Sequence, residues 1–377
     1  MVQSVALMSV FGLGIAFSVL GALKLHLVSE LKIDDARFGK LVSALMFTSI
    51  FVVLAFGPLV DMFGYKPIAI MGFLVGFFAV YMLVSSKSYG MAVFSCILLG
   101  IGAMCLNLGN TLIPMVLFPG NPVAALNFGN VFFGIGAFIT PFLVGMLLNR
   151  IGYKSTGVII AFILLAPVIL ALSASYPSVQ KKGLTLAAAV GNTFGLLSNP
   201  VIIIAALALF CYIGLEASMG GWITTYATAE GFSAKGASIV LSSFWIGLMV
   251  ARLVTCQLVT PSNGVMVIAV LAVAAAISIG LMIATGSKTA AAVFVVITGI
   301  SFGPLFPTIV GVTFSRIDPS LHGSAFGIIF AIGLLGGSTI PAAIGIYARD
   351  KSIKKSLPIA MAAAFVLFII ALVMGKM

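Results

Sequence analysis

The chain has 377 residues, of which 62% are hydrophobic and only 7% charged, with a formal net charge of +11. Soluble domains carry about 25% charged residues, so this composition excludes a water-soluble globular fold. Apolar runs of about 20 residues or longer recur along the whole length and predict transmembrane helices. Alternating ten-residue strands are absent, which argues against a β-barrel.

Twelve helices are predicted, over residues 4–27, 39–60, 67–85, 90–117, 123–148, 155–174, 200–227, 236–258, 264–285, 289–314, 321–347 and 356–375. The fold class expected is therefore an all-α membrane protein. The first run has no basic residue before it, is long for a signal-peptide core and shows no small-residue cleavage site, so it is read as a retained helix. Cys96, Cys105, Cys211 and Cys256 all fall inside predicted helices, and free thiols are expected. The basic residues are spread over loops without a block, which suits lipid headgroups and does not suggest nucleic acid.

The longest connection runs from Ser175 to Asn199. It divides the chain into an N-terminal six-helix bundle (1–174), a linker (175–199) and a C-terminal six-helix bundle (200–377). The halves read as a repeat. Shifted by about 199 residues, Phe17-Ser18-Val19-Leu20-Gly21 lies over Glu216-Ala217-Ser218-Met219-Gly220. Shifted by about 200, Gly136, Pro141 and Gly145 meet Gly336, Pro341 and Gly345. A parallel repeat of six helices is one architecture of secondary transporters, with the solute site near the midplane between the halves.

Between the second and third helices stands Gly57-Pro58-Leu59-Val60-Asp61-Met62-Phe63-Gly64-Tyr65-Lys66-Pro67. Gly57 allows close helix approach. Asp61, near a helix end, can accept from backbone N–H groups of a neighbouring helix or pair with a cation. Gly64 permits a tight turn, and Lys66 supplies a charge at the membrane surface. This stretch resembles the G-x-L-a-D-x-x-G-x-[RK] signature of the major facilitator superfamily, which implies a gating role for Gly57, Asp61, Gly64 and Lys66. The equivalent place in the second half, Gly247 to Leu253, keeps Arg252 but lacks the acid.

Further stretches narrow the resemblance. They are Gly109-Asn110-Thr111-Leu112-Ile113-Pro114, Ala125 to Ala137, Gly214 to Trp222, Gly303-Pro304-Leu305-Phe306-Pro307-Thr308 and Gly336-Gly337-Ser338-Thr339-Ile340-Pro341. Together they resemble the fucose–proton symporter branch and sodium-dependent glucose transporter-like relatives. The branch's helix-4 acid would fall at Leu106 and its helix-1 acid near Gly21, and neither position holds a carboxylate. Gly136-Ala137-Phe138-Ile139-Thr140-Pro141 only partly resembles the Gly-Pro motif of drug–proton antiporters.

Glu216 is the one acid well inside the predicted membrane region apart from Asp61; Glu30, Asp34, Asp35, Glu230, Asp318 and Asp350 fall in or beside loops. A charge at the bilayer centre costs at least about 2.5–3.5 kcal/mol on insertion scales. Glu216 is therefore either a hydrogen-bonding link between helices or a cavity carboxylate that orients solute or carries the coupling ion. Asn107 and Asn110 are three apart on one helix, and Asn127 and Asn130 on the next, so each pair shares a face. Amides suit a neutral hydroxylated ligand, though they also bond between helices. Trp222, Tyr226, Tyr212 and Trp245 could stack on a sugar ring or anchor the membrane interface. Lys24 and His26 read as interface residues and Arg252 as a headgroup or loop partner. No Arg or Lys is placed well inside a helix, so an anionic solute is not expected. The sequence contains no nucleotide-binding loop, metal-ligand cluster or nucleophile–base set.

The expected function is transport of a small polar solute, a sugar or related polyol, by alternating access. Glu216, Asn107, Asn110, Asn127, Asn130, Trp222 and Tyr226 are the candidate binding residues, with H+ or Na+ as the possible coupling ion and no cofactor. Alternatives are export of amphipathic compounds and a transport-incompetent nutrient sensor on the same fold. The protein is expected to be a monomer in the cell membrane, multi-pass, with both termini cytoplasmic. The basic residues run against that orientation. Lys66, Lys181, Lys182, Arg252, Arg316 and Lys376 would lie inside, against eleven outside beginning with Lys32 and Arg37.

Overall fold

A computed structural model describes residues 1–177, 191, 193–349 and 352–377. Most of the expected linker, including Lys181 and Lys182, lies outside the described residues, as do Asp350 and Lys351.

The described residues form helices and no strand. The first half contains α1 (Val2–Ala22), α2 (Asp35–Phe63), α3 (Tyr65–Val84), α4 (Tyr89–Val116), α5 (122–151) and α6 (153–173). The second half contains α7 (Pro200–Ala229), α8 (Ala234–Leu258), α9 (Pro261–Ala284), α10 (Lys288–Phe314), α11 (His322–Arg349) and α12 (Pro358–Met374). The spans they form are long and apolar enough to cross a bilayer: mean hydropathy over their best windows is 1.9 to 2.8. Among the described residues there are thus twelve membrane-length helices, the number the hydropathy pattern predicts.

Local chemistry sets the ends of these helices. Asp34, Ser88, Asn199, Ser233 and Ser287 accept from the first-turn N–H groups of α2, α4, α7, α8 and α10, which would otherwise lack partners. Gly64, between α2 and α3, sits at φ 79° and ψ 179°. Gly152, between α5 and α6, sits at φ 82° and ψ 169°. Only glycine occupies this region without strain, so both corners are written into the sequence. Lys24 and His26 belong to a short helix, Lys24–Leu31, that continues α1. Lys24 lies over the Phe38 ring and His26 stacks on Tyr153. The four cysteines are free.

α4 and α10 are each broken within their length. α4 turns at Leu108 between Tyr89–Asn107 and Gly109–Val116, and α10 turns at Gly303 and Pro304 between Lys288–Phe302 and Leu305–Phe314. A proline has no N–H to give to the carbonyl four residues before it. Pro307 therefore leaves the Gly303 carbonyl without its helical partner.

The chain forms two compact units. Unit 1 holds residues Met1–Pro119, Gly129–Thr193 and Asp318–Gly327; unit 2 holds Gly120–Phe128, Phe194–Ile317 and Ile328–Met377. Each unit contains several tight glycine crossings, and one of them occurs at matching positions in both. In unit 1, a Cβ on Gly14 of α1 would overlap the Phe133 carbonyl oxygen of α5, and one on Gly136 would overlap the Phe11 carbonyl. In unit 2, a Cβ on Gly214 of α7 would meet Ile340 and the Gly336 carbonyl of α11, and one on Gly336 would overlap the Phe210 carbonyl. Gly14 and Gly214, and Gly136 and Gly336, are 200 positions apart. The repeat read from the sequence is thus a repeated backbone contact. Small residues at such crossings let dispersion forces act between backbones, which matters in lipid where no hydrophobic force separates helix from solvent.

Gly136→Ala or Gly336→Ala should force its crossing apart. Overpacking typically costs about 1–3 kcal/mol, and backbone atoms have little room to yield. Gly145, on α5, has open space where a Cβ would stand, so Gly145→Ala should be neutral or gain up to about 1 kcal/mol from helix propensity. Thermal unfolding of the purified protein in detergent checks the contrast: the two crossing variants should melt lower than the parent and the Gly145 variant should not.

Candidate functional site

The cluster that stands out chemically lies in unit 2, where α7, α8 and α10 meet. Tyr212 and Glu216 are four apart on α7 and share a face. Arg252 comes from α8, six residues before its end, and its side chain is only 3% exposed. Its Nε donates to the Gly303 carbonyl at 2.8 Å, the carbonyl that Pro307 leaves free. Its Nη2 lies 3.7 Å from Glu216 Oε1 and 3.5 Å from the Tyr212 hydroxyl. Aromatic rings wall the cluster: Tyr212 packs against Phe302 and Phe306, both on α10.

This arrangement overturns two expectations. Arg252 is not a headgroup or loop partner: it is 2% exposed and bound inside the helix bundle. An arginine is therefore well inside a helix, and the reason to exclude an anionic solute disappears. Removing Arg252 from the inner count also widens the imbalance of basic residues. Glu216 is less enclosed than its partner, with 22% of its side chain accessible.

The asparagines divide between the units. In unit 1 three of them form a chain of amides between α4 and α5. Asn110 donates to Asn107 Oδ1 at 2.8 Å, and Asn130 donates to Asn110 Oδ1 at 3.0 Å. All three are buried, and Asn107 also approaches the Met104 sulfur. Asn127 belongs to unit 2, where its amide N–H groups reach the Val123 carbonyl at 2.9 Å and Thr308 Oγ1 at 3.2 Å. Its Oδ1 is buried and lacks a hydrogen-bond partner among the described residues.

The aromatic candidates lie further along α7. At about 1.5 Å per residue, Trp222 stands roughly 9 Å and Tyr226 roughly 15 Å beyond Glu216. The Trp222 indole donates to the Pro341 carbonyl at 3.3 Å and its ring fills the space beside Gly345. The Tyr226 hydroxyl donates to the Met282 carbonyl at 2.8 Å and the residue is buried. Neither is gathered with Glu216.

The Gly57–Lys66 motif makes a different contact, inside unit 1. Asp61 lies in the last turn of α2, not in a loop, and is 4% exposed. Its carboxylate accepts from the Gly323 N–H at 3.0 Å, the Ser324 N–H at 2.9 Å and the Ser324 hydroxyl. These are N–H groups of the first turn of α11, which find no acceptor within their own helix. A carboxylate there is also favoured by the helix dipole. Gly57 makes room for the approach, since a Cβ there would stand 2.6 Å from the Gly323 carbonyl oxygen. Gly64 forms the corner beyond it, and Lys66 is exposed.

Sequence reasoning missed Arg252 as the partner of Glu216, and the Gly303 carbonyl and the Tyr212 hydroxyl as partners of Arg252. One signal was present. Pro307 stands four residues after Gly303, which announces a carbonyl in need of a donor, and Arg252 is the lone basic residue of α8 beyond its first turn.

The sequence profile of the Major Facilitator Superfamily matches residues 5–341. Bypass of stop codon protein 6 from Saccharomyces cerevisiae is 31% identical over 173 residues, which is 43% of this chain and 35% of that protein. The chain thus aligns with about a third of the length of that relative. Among solved structures, the major facilitator transporter FucP in the outward conformation superimposes with a TM-score of 0.81 at 17% identity, over 98% of this chain and 97% of that one. A single-site variant of the E. coli fucose–proton symporter FucP gives 0.79 at 18% identity, over 98% of each chain. The human organic anion transporter MFSD10 gives 0.74 at 14% identity, again over 98% of each. At these identities the structures establish a shared fold. With the profile spanning most of its length, the chain belongs to the Major Facilitator Superfamily and is a multi-pass membrane protein.

Proposed function

We propose that the protein moves a small hydroxylated solute, a sugar or related polyol, across the cell membrane by alternating access. The observation that carries this reading is the Glu216–Arg252–Tyr212 cluster. Two ionised side chains inside an apolar helix bundle cost several kcal/mol each in lost hydration, and pairing seldom returns more than that. Evolution keeps such groups in membrane helices where they handle solutes or ions. Glu216, with part of its carboxylate accessible and Arg252 behind it, offers acceptors to hydroxyl groups. The fold resemblance to a fucose–proton symporter agrees with this solute class.

The asparagines enter the reading differently. Asn107, Asn110 and Asn130 hold one another, so their role in binding is to set the spacing of α4 and α5 and to offer whatever acceptor capacity remains. Asn127, with its orphan Oδ1, is the amide best suited to receive a donor from solute or water. Trp222 and Tyr226 support the site by fixing α7 against α11 and α9. Asp61 acts as the gate: its bonds to the first turn of α11 hold one conformation, and they must break and re-form in each cycle. Both termini would lie on the cytoplasmic side, with the protein working as a monomer.

The test is exchange in proteoliposomes. Purified protein loaded inside with a panel of unlabelled sugars and polyols should take up a labelled counterpart in a saturable manner. A sensor would bind members of the panel and exchange none. An amphipathic exporter would exchange hydrophobic compounds and no carbohydrate.

Asp61→Asn should separate binding from movement. The variant loses charge-assisted bonds worth about 1.5–3 kcal/mol each, so the gated conformation should lose at least about tenfold in population. Equilibrium solute affinity should stay within about threefold of the parent while the exchange rate falls by about tenfold or more. A parallel loss of both would count against a gating role.

A further inference from the structure

We propose that Tyr65 is a positioning residue that couples the Asp61 gate to the second segment of α4, so that the Asn110 amide moves in step with the gate. This rests on the gating role of Asp61 in the transport reading above and adds the side chain that carries the state of the gate into unit 1.

The segment concerned is Gly109–Val116, beyond the break at Leu108. Its own backbone does little to place it. Pro114 has no N–H for the Asn110 carbonyl, and the Thr111 N–H reaches the Leu108 carbonyl, three residues back, at 3.0 Å. Contacts with other helices therefore set its position. At Gly109 it lies against α1, where an added Cβ would stand 2.7 Å from the Ser9 Cβ. At its far end the Gln3 amide of α1 donates to the Val116 carbonyl at 2.9 Å, in an exposed position. Between these two contacts the Tyr65 hydroxyl of α3 donates to the Thr111 carbonyl at 3.3 Å, and both residues are buried. A carbonyl has two lone pairs, so this bond adds to a helical one.

Tyr65 belongs to the gate by its place in the chain. It follows Gly64, the corner between α2 and α3, and stands four residues beyond Asp61. Release of Asp61 from the Gly323 and Ser324 groups frees this end of α2, and the corner carries Tyr65 with it. On the other side of the bond, Thr111 adjoins Asn110, the middle member of the amide chain. Asn110 gives to Asn107 in the first segment of α4 and accepts from Asn130 on α5. A shift of the second segment about Leu108 thus alters both amide bonds together. There is room for the shift. A small cavity beside the break is lined by Ser9, Tyr65, Cys105, Leu108, Gly109 and Leu112. Atoms that face a void have few contacts there to give up. At 3.3 Å the tyrosine bond is long for a hydroxyl donor, so a small movement of the corner makes or breaks it.

Cys105, 2% exposed and lining the cavity, reports on that movement. With Cys96→Ala, Cys211→Ala and Cys256→Ser in place, its modification by methyl methanethiosulfonate is timed on the purified protein in detergent. Asp61→Asn should speed the reaction about tenfold, in line with the loss of the gated conformation. Tyr65→Phe keeps the ring and removes only the hydroxyl. In its presence Asp61→Asn should change the rate by about twofold or less, since one neutral hydrogen bond corresponds to about a two- to tenfold effect. Gln3→Ala removes a bond of the same kind that does not lead to the gate, and should leave the Asp61→Asn effect whole. Amide hydrogen exchange over residues 109–116 follows the same comparison with all four cysteines in place, and decides the matter if the cysteine replacements disturb folding. Equal acceleration by Asp61→Asn with and without the Tyr65 hydroxyl, or no acceleration at all, would overturn the coupling. No solute enters these measurements, so that outcome leaves the transport reading to the exchange test.

Discussion

An ionised arginine inside a membrane helix bundle has to be solvated by the protein itself, and in this chain that requirement organises unit 2. Groups from two neighbouring helices contribute. The Gly303 carbonyl accepts from Nε, and the Tyr212 hydroxyl and the Glu216 carboxylate face Nη2. The carbonyl is free because α10 is broken at Gly303–Pro304 and because Pro307 has no N–H to return to it. A helix defect, which would be a liability in lipid, is thus satisfied by a side chain from the adjoining helix, as membrane proteins require of any unpaired backbone group. The break, the arginine and the acid support one another. Removing Arg252 alone would take from the Glu216 carboxylate its cation and from the Gly303 carbonyl its donor.

The same logic runs through unit 1 with different groups. There the buried charge is Asp61, and the groups that need it are the first N–H groups of α11. It is a single-residue anchor made of charge-assisted bonds, strong enough to hold a helix end and confined enough to be released as one event. Around both anchors the glycine crossings at Gly14 and Gly136, and at Gly214 and Gly336, set rigid backbone spacing. The amide chain of Asn107, Asn110 and Asn130 adds a polar tie between α4 and α5. Each unit therefore combines close backbone crossings with a few polar contacts.

The fold was legible because its signals are one-dimensional. Apolar run length gives the helices, and the 200-residue offset between Gly136 and Gly336 exposes the repeat without any knowledge of contacts. Gly64 could be read as a corner from its motif, and the structure gives the reason in its positive φ. The site was less legible because its chemistry depends on which helix faces meet. Glu216 was conspicuous as a lone acid. Arg252, six residues before the end of α8, looked like an interface residue, and nothing in its spacing from Glu216 reveals that the two side chains converge. The amides show the same limit. Asn127 and Asn130 are three apart, yet about 60° separates them around the helix axis. That angle is enough to send one to Thr308 and the other to Asn110.

The Glu216–Arg252 pair, on this reading, serves solute handling and is not a structural tie. Replacing a buried ion pair by two neutral groups of similar size is often neutral for stability or even favourable. The double variant Glu216→Gln with Arg252→Gln therefore separates the two roles, measured as unfolding temperature in detergent alongside exchange of the best panel solute in proteoliposomes. The expected result is an unfolding temperature close to or above that of the parent, with exchange reduced to the background of empty liposomes. Exchange at the parental rate in a stable double variant would contradict it and return the pair to a purely structural role.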